Sequence, residues 1–160
     1  MRSVLFVLST GLALAAAAPA QCLFTSVTAQ SVGQSCNAAS TGFCAVAAFP
    51  SFLEPVLDTA NCQLNLTVTA FEGCGATVPL RVLAFGFQPT FVPLPEFGSD
   101  CALQVDPVGI LATTATSFTL NLPPNVPQFS FLAQGLAWSS FQFAPNPILA
   151  FTAPYAINLQ

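Results

Sequence analysis

Over residues 63–70 the chain alternates apolar and polar side chains without a slip. Leu64, Leu66, Val68 and Ala70 fall on one side, and Gln63, Asn65, Thr67 and Thr69 on the other. Successive side chains of an extended strand point to opposite faces, so this spacing specifies a strand with one buried face. The pattern recurs. Phe118, Leu120 and Leu122 alternate with Thr119 and Asn121 and stop at Pro123-Pro124. Residues 129–138 give a longer run, with Phe129, Phe131 and Ala133 on one face and Leu132, Gln134 and Leu136 on the other. Shorter apolar runs lie at 43–49, 101–105, 108–112, 148–151 and 155–159, with Pro- and Gly-rich joints at 88–98 and 144–147. Beyond the first twenty residues no stretch sustains a 3.6-residue period. Many short strands with regular turn signals predict an all-β chain, a single antiparallel β-sandwich of about eight or nine strands.

After residues 63–70 comes turn chemistry, Glu72-Gly73-Cys74-Gly75, and 78–87 reads as a returning strand. The expectation is a β-hairpin, with Pro79 admissible only near a strand start, on an edge or at a bulge. The polar faces carry Thr, Ser, Asn and Gln where Lys and Glu usually stand. Charged residues make up 5% of the chain, against about 25% in ordinary soluble domains. Uncharged strands are poorly defended against edge-to-edge pairing, so self-association is expected.

The N-terminus has the layout of a secretory signal peptide: Met1-Arg2, an apolar stretch over 4–17, and the small-residue site Ala18-Pro19-Ala20. Its apolar core is shorter than the roughly 20 residues a bilayer-spanning helix needs. Cleavage after Ala20 divides the chain into a signal peptide, 1–20, and a β-sandwich domain, 21–160. The product is expected to be secreted or held at the cell surface. A lipid anchor on Cys22 is the alternative, although Gln21 is larger than the residue that usually precedes such a cysteine.

Six cysteines, Cys22, Cys36, Cys44, Cys62, Cys74 and Cys101, form an even set in an exported chain, which reads as a disulfide framework. Three precede residue 45 and three follow residue 61, so full pairing requires at least one bridge between the groups. Zinc would need closely paired ligands, usually with histidine, and neither is present. Glu96, Asp100 and Asp106 flank the loop entering the Cys101 strand and offer oxygen ligands to calcium, at a spacing that matches no known loop motif. No cofactor is expected.

With the leader removed, Arg81 is the one cation against six acidic residues, a net charge of −5, and there is no lysine or histidine. Nucleic acid is thereby disfavoured as a partner, since phosphate binding needs clustered Lys and Arg. A Ser-His-Asp, Cys-His or Schiff-base lysine centre cannot be built. Carboxylates remain, and a glycosidase needs two of them across a cleft. The mature sequence has no run of 18 apolar residues, which disfavours a membrane-spanning helix. An outer-membrane barrel would fit the length, but six cysteines, dispersed prolines and one Trp and one Tyr argue against it. Trp138, Phe141, Phe143 and Tyr155 are candidates for an aromatic platform that stacks on sugar rings. Asn65-Leu66-Thr67 matches a glycosylation triplet and is equally a polar strand face.

A series of segments in fixed order runs from Gly33-Gln34-Ser35-Cys36 through Cys62-Gln63-Leu64-Asn65-Leu66-Thr67-Val68, Phe71-Glu72-Gly73-Cys74 and Val82-Leu83-Ala84-Phe85-Gly86. It continues with Pro93-Leu94-Pro95, Cys101-Ala102-Leu103-Gln104-Val105-Asp106-Pro107, Phe118-Thr119-Leu120-Asn121-Leu122-Pro123 and Phe131-Leu132-Ala133-Gln134-Gly135. Over residues 30–160 this resembles a family of exported β-rich proteins abundant in planctomycete-type bacteria. The resemblance implies fold and export and brings no activity with it. Relatives show a G-x-x-L-x-x-Q step where this chain has 129–134, and a closing Ser-Asn-Gly strand where it has Ala153-Pro154-Tyr155, so the family pattern leaves the last strand's pairing open. The function expected from the whole sequence is a non-catalytic structural or adhesive module, binding a cell-surface component or polysaccharide. A carbohydrate-binding module is the alternative, and a carboxylate-dependent hydrolase the third reading.

Overall fold

In the computed structural model, which describes residues 22–37, 52–70, 76–97, 101–141 and 148–160, the alternation is a strand over 63–69 with its apolar side buried, and Ala70 just beyond it is half-buried. Leu64, Leu66 and Val68 are sealed from solvent while Gln63, Asn65 and Thr67 are half-buried on the other face. Removing each such side chain from water stabilises the fold by about 1.5–3 kcal/mol. The described elements are β1 (Val27–Ser31), β2 (Cys36–Asn37), β3 (Phe52–Asp58), β4 (Gln63–Thr69), β5 (Ala76–Gly86) and β6 (Gln88–Pro93). A 3-10 turn (Pro95–Phe97) follows, then β7 (Ala102–Asp106), β8 (Gly109–Thr113), β9 (Ser117–Asn121), β10 (Phe129–Phe141), β11 (Ile148–Phe151) and β12 (Tyr155–Leu159). All their pairings are antiparallel.

The fold is all-β, as expected, with twelve described strands in three sheets where eight or nine strands were predicted in two. The 13-residue β10 organises the largest sheet. One of its edges carries β5 and then β8; the other is shared end to end by β12, followed by β1, and β11, followed by β2. A three-stranded sheet, β3-β4-β9, lies over one face of this seven-stranded sheet. The core between them includes Leu53, Leu64, Leu66, Leu83, Phe118, Phe131 and Ile157. Gly135 of β10 permits the close approach: a Cβ there would stand 2.8 Å from a Val68 methyl of the facing sheet. The β6-β7 pair covers the opposite face of the large sheet, where Cys36, Cys101 and Phe151 form a second small core with Leu94, Phe97, Leu136 and Leu149. Among the described residues the strand pairings leave each sheet open, unlike the barrel weighed from composition.

The predicted hairpin between β4 and β5 does not form. β4 pairs with β3 and β9, and β5 with β10 and β8, so the chain crosses from one sheet to the other between them. The alternation gave the faces of β4 correctly, but periodicity carries no information about which edge a strand meets. Pro79 resolves as the bulge that proline rules allow: Val78 and Pro79 together stand opposite Ser139, between the pairs Leu80–Trp138 and Thr77–Ser140. The strand expected at 43–49 lies outside the described residues. The last strand, whose pairing the family pattern left open, joins β1 and β10, and Thr25 and Ser26 exchange backbone hydrogen bonds with Gln160.

Candidate functional site

Two of the six cysteines' pairings are described. Cys22–Cys62 ties the N-terminal segment to the β3-β4 turn, and Cys36–Cys101 ties β2 to the start of β7. Both join the early group to the late one. Cys44 and Cys74 lie outside the described residues. The lipid-anchor alternative is overturned at Cys22, because its sulfur is bonded to Cys62. Structural disulfides of this kind belong to an oxidising compartment outside the cytosol. No helix among the described residues is long and apolar enough to cross a membrane.

The four-aromatic platform is not assembled. Trp138 is 41% exposed on the face of β10 that also carries Leu136 and its second-core contacts. Tyr155 pairs with Ala133 on the other face and packs against the main core. The two rings thus lie on opposite sides of one sheet. Phe141 ends β10, and Phe143 lies outside the described residues. Of the calcium candidates, Glu96 sits in the 3-10 turn, which docks beside the start of β7 through the Leu94 N–H to Cys101 C=O bond. Asp106 ends that strand, roughly 13 Å along it, and Asp100 lies outside the described residues. No group of three metal-ligating side chains occurs among the described residues.

The described carboxylates, Glu54, Asp58, Glu96 and Asp106, form no close pair along their own elements. Glu54 and Asp58 share one face of β3 but stand four residues apart, roughly 13 Å, beyond the 5–9.5 Å span of glycosidase pairs. Asp58 is committed to the β3-β4 turn, accepting from the Asn61 side chain at 2.7 Å and from the Ala60 and Asn61 N–H groups at 3.0 and 3.2 Å. The Asn61 side-chain bond, with its backbone bond next, holds this carboxyl below its ordinary value. Arg81 is buried and donates to the Val68, Val78 and Ala115 carbonyls at 3.1, 3.4 and 3.5 Å. It links β4 of one sheet to the β8-β9 connection, which is a structural use of the one cation beyond the first twenty residues.

Three features had no clear signal in the sequence. The first is Gln134, 2% exposed. Its amide donates to the Ala102 and Thr152 carbonyls, both at 3.1 Å, and accepts from the Gln104 N–H at 2.8 Å, which fastens β7 onto the middle of β10. The second is an apolar groove of about 390 Å³ where β8 and β9 splay apart, lined by Phe85, Phe87, Leu111, Leu120, Phe129 and Phe131 among others. Phe87 and Phe129 meet edge to face at 6.0 Å. Its polar rim is spent: Thr119 donates to Asn65 at 2.7 Å, and Asn121 accepts from Gln63 at 3.0 Å. The third is a mixed cleft of about 480 Å³ on the β1/β3 side, lined by Ser31, Gly33, Gln34, Ser35, Phe52, Ala153 and Tyr155. Comparison with protein-family models, curated proteins and solved structures found no match in any of the three.

Proposed function

We propose that the chain is an exported, non-catalytic structural or adhesive module that associates with copies of itself through β8. The observation that carries this reading is the undefended edge of β8. Among the described residues β8 pairs only with β5, and it contains no charge and no proline. Ile110 is 62% exposed on one face, while Leu111 is exposed at the groove mouth on the other. Two other edges carry blocking devices: β6 has Pro89 and Pro93 and a bulge that sets Thr90 and Phe91 against Gln104, and β3 has Glu54, Pro55 and Asp58. The edge strands β1 and β9 are uncharged as well, but their exposed side chains are polar, Thr28, Gln30 and Ser31 on β1 and Thr119 and Asn121 on β9, where β8 exposes Ile110 and Leu111. Prolines, charges and bulges are how sheets avoid pairing with strangers.

Antiparallel pairing of two β8 strands about Leu111 is isologous, so the same residues serve both copies. It extends the seven-stranded sheet across a two-fold axis, sets Ile110 against the second copy's Ala112, and brings a second Leu111 over the groove mouth. Sedimentation equilibrium tests it: the wild-type protein is expected as a dimer, Ile110→Lys as a monomer with an unchanged melting temperature, and Phe91→Lys as a dimer. A wild-type protein that stays monomeric at the highest attainable concentration sinks the self-pairing reading.

A further inference from the structure

We infer that the cleft between β1 and β3 is a binding site for an uncharged saccharide. The inference goes beyond self-association, because the cleft lies on the side of the sandwich away from β8. Its chemistry is that of a neutral sugar site. Phe52, 46% exposed, and Tyr155 supply aromatic surface, while Ser31, Gln34 and Ser35 supply hydroxyls and an amide that donate and accept. No charged side chain lines it. An anionic glycan would meet no cation there, on a molecule that already carries excess negative charge.

The loop presenting these groups is exposed and yet held at every step, which is the second observation. The Val32 N–H donates to the Pro154 carbonyl at 2.9 Å. The Gln104 side-chain amide grips both backbone groups of Gln34, accepting from its N–H at 3.4 Å and donating to its C=O at 2.7 Å. Cys36, two residues on, is bonded to Cys101. Gly33 lies so close to Gln104 and Pro154 that a Cβ would stand 2.3 Å from the amide oxygen and 2.6 Å from the proline ring. Ser31 pairs directly across from Tyr155, so the aromatic and the hydroxyl leave the sheet side by side. A connecting loop needs none of this fixing, whereas a binding loop ordered before its ligand arrives loses less entropy on binding. Among the described residues the Gln34 and Ser35 side chains make no hydrogen bond, which leaves them to a ligand's hydroxyls. A pyranose stacked on Phe52 would receive hydrogen bonds from that row.

The test is calorimetry with neutral oligosaccharides, the hexaoses of cellulose, chitin, xylan and starch, alongside oligogalacturonate as an anionic probe. At least one neutral hexaose is expected to bind. Phe52→Ala and Gln34→Ala should each weaken it about tenfold with unchanged melting temperature, Trp138→Ala should leave it intact, and oligogalacturonate should not bind. Retained binding in Ile110→Lys separates this site from the β8 edge. No neutral ligand, binding of the anionic probe alone, or loss on Trp138→Ala with retention in Phe52→Ala overturns the inference.

Discussion

Gln134 shows how much one side chain can hold. Three hydrogen bonds leave one buried amide, and the partners belong to β7 and to the Thr152 joint between β11 and β12. Gln134→Leu keeps the volume and strands an N–H and two carbonyls away from water, so a loss of about 3 kcal/mol is expected, read by urea unfolding. If the variant is as stable as wild type, the clamp is idle. Asp58 makes a pH-dependent contribution at the same scale. Its hydrogen bonds lower the folded-state value below that of the unfolded chain. The unfolded state therefore protonates first as pH falls. The contribution is complete above the ordinary carboxylate range and fades below about pH 4. Melting temperatures of wild type and Asp58→Asn should converge as pH drops through that window; parallel curves would refute the assignment. Neither role was legible beforehand. A Gln on an alternating face reads as solvent-facing, and only a third layer makes it interior.

Among the elements, alternation identified β4, β9 and β10 and the buried side of β4, and the short apolar runs located β7, β8, β11 and β12. The expected consequence of burial is asymmetric within three residues: Leu66→Ala should cost about 2–5 kcal/mol and the adjacent Thr67→Ala no more than about 0.5 kcal/mol, measured by thermal or urea melts. Equal losses would mean the faces are misassigned. β1, β3 and β6 escaped notice for a physical reason. Each is an edge or near-edge strand, and β3 and β6 contain Pro55, Pro89 and Pro93, residues that mark loops in a sequence and protected edges in a sheet. Of the cleft, only Tyr155 could be nominated in advance. Phe52, Gln34 and Ser35 meet it through the β1-β12 pairing and the packing of β3 beside β1.

For the whole molecule, the disulfides carry a large share of stability. Cys22–Cys62 spans 40 residues and Cys36–Cys101 spans 65, and loops of those lengths correspond to about 4 kcal/mol each. Total stability of a domain is about 5–15 kcal/mol. Reduction under mild denaturant should therefore unfold the protein cooperatively, as followed by circular dichroism, and a reduced chain with its native melting temperature would contradict this. The same cross-links also set how far the molecule can be drawn out. A pull on residues 22 and 160 finds a covalent route through 22–36, across the sulfur bridge to Cys101, and on to the C-terminus. Everything between hangs from that route as a closed loop. Stretched to its limit, the oxidised chain reaches roughly half the length of the reduced one, so its extension has a fixed stop.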